Sequence, residues 1–254
     1  MTGVDKVVPW LSCHKPNPAS KLRLFCFPYA GSGALIYRDW SRSLPAHVEV
    51  CPVQLPGRGS RQRETPFIRM DQLVKATLRE MRPYLDKPFA FFGHSMGAII
   101  GFEIARLLRR EDATLPVHLF VSGRSGPPVR KPTTHTYNLP DAAFMDELQR
   151  LKGTPAEVLE HPELMQVLMP LIRADFELIQ TYTYTDEPPL NIPLTAIGGL
   201  QDEITREELE GWRAQTTGAF SLRMLSGDHF YLTTNQQFLL PILAQELSRN
   251  GLGK

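Results

Sequence analysis

The chain has 254 residues, 42% of them hydrophobic and 22% charged, with a formal net charge of +1. That balance suits a soluble globular protein with a sizeable core and excludes a disordered chain. The near-zero charge also excludes a global field favouring nucleic acid or an anionic membrane.

The opening residues, from Met1 to Lys6, lack the basic start and apolar run of a secretion signal. Three cysteines (Cys13, Cys26 and Cys51) are odd in number and lack metal-ligand spacing. A reducing cytoplasm is therefore the expected compartment. No metal, cofactor, nucleic acid or membrane is called for, and a monomer is the default expectation.

In chain order, Leu22–Phe27 reads as a strand, 34–44 as a helix, and Val48–Val53 as a second strand weakened at its end by Pro52. A helix is predicted over 70–85, where Met70, Leu73, Val74, Thr77, Leu78 and Met81 keep an i, i+3, i+4 rhythm. Phe89–Phe92 and Val117–Val121 read as strands around a helix at 95–110, and Ile192–Ile197 and Phe220–Leu225 as later strands. Helices at 205–214 and 236–249 complete the pattern. The strand runs are almost continuously apolar, as expected where both faces are covered. Strand–helix alternation of this kind predicts an α/β fold, with a mostly parallel central sheet flanked by helices.

One stretch departs from the rhythm. Between about 125 and 189 no strand is predicted, and Pro127-Pro128 and Pro188-Pro189 bracket the segment. Inside it, Asp141–Lys152 and Glu163–Tyr182 read as helices, the second kinked or divided at Pro170. The expected organisation is one domain over 1–254, with 125–189 inserted between late strands as a helical lid.

Gly93-His-Ser-Met-Gly97 has the G-x-S-x-G spacing of a nucleophile elbow, with a strand immediately before it and a helix after. A serine on so tight a turn projects its hydroxyl from the sheet. Side chains two residues either side would collide with neighbouring backbone, which is why glycines stand there. The following helix points its positive end at Ser95. Ser95 is therefore predicted to be the nucleophile of an acyl hydrolase with an α/β-hydrolase fold.

Serine needs a base, and the base an orienting acid, in the chain order Ser, Asp or Glu, His. His229 is the histidine that follows the inserted segment, on a loop after Phe220–Leu225. His94 adjoins Ser95 on a diverging turn and is a poor base. Asp202, after the strand at 192–197, is the predicted acid, with Glu203 and Asp228 as competitors. The oxyanion hole should use the backbone N–H of Met96 and one from the loop Phe27-Pro-Tyr-Ala-Gly-Ser-Gly33, at Ala30.

Phe27–Gly31, Gln54-Leu-Pro-Gly-Arg58, Gly93–Gly97, Arg173-Ala-Asp-Phe176, Gly198–Asp202 and Gly227–Phe230 occur in an order that resembles the type II thioesterases. These are stand-alone enzymes that accompany nonribosomal peptide and polyketide synthases, and the resemblance runs from about Leu22 to Leu243. It implies a catalytic triad of Ser95, Asp202 and His229, with oxyanion amides at Ala30 and Met96. The implied substrate is an acyl thioester on the phosphopantetheine arm of a carrier protein, cleaved to restore stalled synthases. The inserted helices, rich in leucine and isoleucine, would line an acyl chamber. Asp228 stands where the family often has glycine, a change expected to raise the basicity of His229.

Arg58, Arg61 and Arg63, and Arg106, Arg109 and Arg110, form two basic runs. They read first as solvated faces and second as a landing place for an acidic carrier protein. Two other functions fit the same residues: a cytosolic carboxylesterase acting on free esters, and a non-catalytic binding partner with the same fold. An intact triad argues against the latter.

Overall fold

Six apolar runs become six strands in the computed structural model. They are β1 (Leu22–Phe27), β2 (Val48–Pro52), β3 (Phe89–His94), β4 (His118–Ser122), β5 (Leu194–Gly199) and β6 (Phe220–Leu225). All pair in parallel, in the order β2-β1-β3-β4-β5-β6. The α-helices are α1 (Met70–Met81), α2 (Met96–Arg110), α3 (Asp141–Leu151), α4 (Pro162–Gln180), α5 (Arg206–Glu210), α6 (Tyr231–Thr234) and α7 (Gln236–Asn250). The structure describes residues 10–12, 17–127, 135–151 and 161–250; Cys13, His14, Pro128 and Lys152 lie outside them. Among the described residues no helix is long and apolar enough to cross a membrane.

Side chains alternate across the sheet and supply two cores. Phe25, Phe27, Phe89 and Phe91 face the layer of α1 and α2. Leu24, Cys26, Ala90 and Phe92 face the layer of Tyr37, Trp40 and the α7 residues Leu239, Leu243 and Leu247. With both faces covered, the strands need no polar side, which accounts for their near-continuous hydrophobicity.

The predicted helix at 34–44 is instead two 3₁₀ turns, Ala34–Tyr37 and Trp40–Arg42. The buried residues Ala34, Tyr37 and Trp40 recur every third position, which matches the 3₁₀ period and not the α period. The same spacing in Leu209 and Trp212 ends α5 early, in a 3₁₀ turn over Gly211–Gln215. Pro193 precedes β5, so that strand begins at Leu194 and not at Ile192.

Pro170 does not divide α4, which runs unbroken through it. Pro170 and Gln166, whose carbonyl loses its bond, are both exposed and open to water. The opposite face is anchored by buried Leu171, Ile172 and Asp175, and tertiary packing outweighs the local penalty. Between β4 and β5, α3 and α4 share a small core of Phe144, Leu148, Met165 and Ile172. Arg173 joins the two helices, donating to Asp141 Oδ1 at 2.7 Å and lying 4.3 Å from the Phe144 ring centre.

The strand order reverses direction between β1 and β3, since β2 flanks β1 and the later strands build out from β3. In open parallel sheets the loops at that switch point diverge and leave a crevice at the strands' carboxyl ends. Ala30 follows β1 and Ser95 follows β3, so the two meet at this crevice.

Candidate active site

Ser95 has φ +53° and ψ −111°, one of two non-glycine residues with positive φ among those described. Such a backbone costs about 1–3 kcal/mol and persists only where its surroundings over-determine it. Here the Ser95 N–H donates to the Ser122 carbonyl at 2.7 Å, and the Ser95 carbonyl accepts from Ala98 N at 3.1 Å. A Cβ on Gly93 would lie 2.0 Å from the Gly97 oxygen, and one on Gly97 would lie 2.1 Å from the Phe27 oxygen. Both glycines are therefore imposed by backbone-to-backbone approach.

His229 Nδ1 lies 2.8 Å from Asp202 Oδ2. The Asp202 side chain is 3% exposed and its other oxygen accepts from Ile204 N at 3.3 Å. A capping box at the start of α5, with Thr205 and Glu208 bonded reciprocally, fixes the end of the Asp202 loop. The competing carboxylates are occupied elsewhere. Glu203 is exposed and bonds Arg150 at 2.9 Å, and Asp228 Oδ1 accepts from Phe230 N at 2.9 Å. Asp228 thus closes its own turn, and no hydrogen bond joins it to the His229 ring.

Ala30, Ser95, Met96, Asp202 and His229 all line one cavity of about 410 Å³. Met96 is the first residue of α2, so its N–H has no carbonyl one turn back within the helix. Phe176, Ile179 and Gln180 of α4 form part of the same wall, with Leu151 of α3. Of the leucines and isoleucines of the inserted helices, Leu151 and Ile179 reach this cavity. Leu171, Ile172 and Leu178 are buried in packing and Leu164 is exposed, whereas Arg124, Arg150, Gln180 and Gln201 border the cavity.

Sequence reasoning passed over the support beneath His229. The His94 ring lies 4.9 Å from the His229 ring, centre to centre. His94 Nδ1 is 2.9 Å from Ser122 Oγ, which is 2.5 Å from Tyr231 Oη. Tyr231 donates its single proton to the Ile197 carbonyl at 2.9 Å, so Ser122 must donate to Tyr231 and His94 Nδ1–H to Ser122. Burial, and secondarily the neighbouring His229, hold the His94 pKa well below the usual histidine value. His94 is thus a neutral ring that places no charge against an imidazolium at His229. Tyr231, two residues after His229, was the available signal.

The basic runs are solvated only at Arg63 and Arg110, which are exposed. Arg58 and Arg61 are each 6% exposed and Arg106 is 2% exposed. Arg58 pairs with Asp175, and Arg61 lies 4.0 Å from the Trp10 ring centre and bonds Glu64. Arg106, Arg109 and Arg110 converge on Glu187. Such side chains are chosen for internal pairing, and Arg63 alone of the six is left without a described partner of this kind and exposed.

A thioesterase domain family model matches residues 22–249. The gramicidin S biosynthesis protein GrsT of Aneurinibacillus migulanus is 43% identical over 248 residues, which are 97% of this chain and 97% of GrsT. RedJ, a thioesterase from the prodiginine biosynthetic pathway in Streptomyces coelicolor, superposes with a TM-score of 0.86 at 38% identity, covering 93% of this chain and 95% of its own. The type II thioesterase BorB from the borrelidin biosynthetic cluster does so with a TM-score of 0.86 at 33% identity, covering 94% and 97%.

Proposed function

The chain belongs to the thioesterase family, and on that premise we propose that it is a type II enzyme serving a nonribosomal peptide or polyketide synthase in the cytoplasm. It hydrolyses thioesters. Its substrate is an acyl group held on the phosphopantetheine arm of a carrier protein, and its product is the free thiol that returns the carrier to use. The observation that carries this reading is the convergence of strained Ser95 and the His229–Asp202 pair on one cavity.

Asp202 accepts a hydrogen bond from His229 Nδ1–H, which keeps the proton there and leaves Nε2 with its lone pair. His229 Nε2 takes the Ser95 proton as Oγ attacks the thioester carbon. The oxyanion that forms receives the N–H groups of Ala30 and Met96, reinforced by the positive end of α2. When the tetrahedral adduct collapses, the C–S bond breaks and His229 gives its proton to the departing sulfur. Water then enters, His229 removes its proton, and hydroxide adds to the acyl-enzyme. A second collapse breaks the C–O bond to Ser95, returns the proton to Oγ and releases the carboxylic acid. The segment carrying α3 and α4 serves as the lid of this chamber.

Intact-protein mass spectrometry of an acylated carrier protein, incubated with the wild type or with Ser95→Ala, tests the reading. The wild type should remove the acyl mass and Ser95→Ala should not. Hydrolysis of simple esters with the carrier left acylated would point to a carboxylesterase, and no turnover of either to a binding partner.

A further inference from the structure

The loop that bears Ala30 closes a turn of its own, with Ser32 N and Oγ donating to the Tyr29 carbonyl at 3.1 and 2.7 Å, but the peptide between Ala30 and Gly31 is held from outside it. Gly31 has φ +77°, and its N–H donates to Asp175 Oδ2 at 2.8 Å, a side chain from the middle of α4. Arg58 grips the same carboxylate with both arms, Nη1 to Oδ2 at 2.8 Å and Nη2 to Oδ1 at 2.7 Å. Its Nη1 also donates to the Ser32 carbonyl at 3.0 Å. Gln54 completes the grip, accepting from Ala34 N at 3.0 Å and donating to the Arg58 carbonyl at 2.7 Å. The loop is held at Gly31, Ser32 and Ala34.

We infer that Asp175 is a positioning residue for the reaction, fixing the Ala30 amide through its hydrogen bond to Gly31. A peptide unit is rigid, so holding the Gly31 N–H fixes the whole plane joining it to Ala30. Only the φ and ψ of Ala30 then separate that plane from the Ala30 N–H. Stability alone is a weak reason for the pair: two well-packed apolar side chains often serve a fold as well as a buried ion pair. What they do not supply is an acceptor for Gly31. Phe176, the next residue along α4, lines the cavity, so one short stretch of helix faces the acyl group and sets the loop opposite it.

The inference rests on the thioesterase mechanism proposed above. Its test compares two double variants, Arg58→Met/Asp175→Asn and Arg58→Met/Asp175→Leu, on a small acyl-N-acetylcysteamine thioester. Both remove the ion pair; only the first keeps an acceptor for Gly31. The leucine variant should lose about 10²-fold in kcat with KM nearly unchanged, because oxyanion contacts act in the transition state. Its affinity for an alkyl trifluoromethyl ketone, whose adduct carries the oxyanion, should fall by the same factor. The asparagine variant should stay within about fivefold of the wild type. Equal kcat in the two, at equal folded fraction by circular dichroism, overturns the inference. If the double variants do not fold, the isosteric Asp175→Asn carries the test: with Arg58 still in place the guanidinium claims the single amide oxygen, which leaves an NH2 group against the Gly31 N–H. That variant should lose about tenfold in both kcat and ketone affinity, and an unchanged value of either overturns the inference. A wild type that hydrolyses no thioester overturns the functional reading instead, before any variant is compared.

Discussion

His229 donates its Nδ1 proton to Oδ2 of Asp202 across 2.8 Å, although the two residues are 27 positions apart on separate loops. The bond fixes the tautomer that leaves Nε2 free to accept a proton. Asparagine at 202 can present its amide to Nδ1 and reverse that choice. Asp202→Asn should therefore lower kcat by about 10⁴-fold with little change in KM. Glu203→Gln, which loses only an exposed ion pair with Arg150 at the edge of the cavity, should leave kcat within twofold or so. Steady-state hydrolysis of a small thioester measures both.

The elbow glycines make a steeper prediction. Gly97→Ala would set a Cβ 2.1 Å from the Phe27 oxygen, and neither backbone can move without disturbing β1 or α2. The variant should lose about 3 kcal/mol or more of stability, in the range of severe overpacking, and its residual folded fraction should be inactive. Gly101→Ala, whose Cβ would lie 3.2 Å from a Phe27 ring carbon and not from backbone, is the milder control. Urea unfolding followed by fluorescence reads the difference.

The strands and the turn at Ser95 were legible because each has a short-range cause. Phe89–Phe92 is apolar on both faces, and Gly93 and Gly97 mark the turn around Ser95. The 3₁₀ turns at Tyr37 and Trp40 were not legible as such, since a three-residue spacing resembles an i, i+3 helix until burial is known. Arg58 and Asp175 were visible as motif members, but they are 117 positions apart and nothing local announces that they pair. The same holds for Arg106 and Glu187: a run of arginines reads as surface until a distant carboxylate is brought to it.

That cluster leads to a prediction about stability without catalysis. Glu187 Oε1 lies 2.7 Å from both Arg106 and Arg110, and Arg109 bonds its second oxygen. Arg106 is buried and keeps Glu103 at 2.6 Å as its other partner. Glu187→Ala should cost about 2 kcal/mol, and more at low salt, because three guanidiniums are left around one carboxylate. None of these residues lines the cavity at Ser95, so kcat on a small thioester should be unchanged. Urea titration at two ionic strengths, alongside the rate, separates the two effects.

His118 gives the fold a pH dependence with a definite sign. Its ring stacks on Phe120 with centres 4.1 Å apart, and Nε2 lies 2.8 Å from Thr195 Oγ1. Burial pushes its pKa down to about 4, whereas in the unfolded chain histidine titrates near 6.5. Between those values the unfolded chain binds a proton that the folded protein refuses, so stability falls as pH falls through that window. At roughly 1.4 kcal/mol per pH unit, the penalty from this one ring is about 2 kcal/mol by pH 5. Above the unfolded value the contribution is constant. His118→Gln keeps a polar partner for Thr195 but has no proton to gain. It should therefore lose less Tm than the wild type between pH 7 and pH 5, and equal losses would show that His118 is not the group responsible.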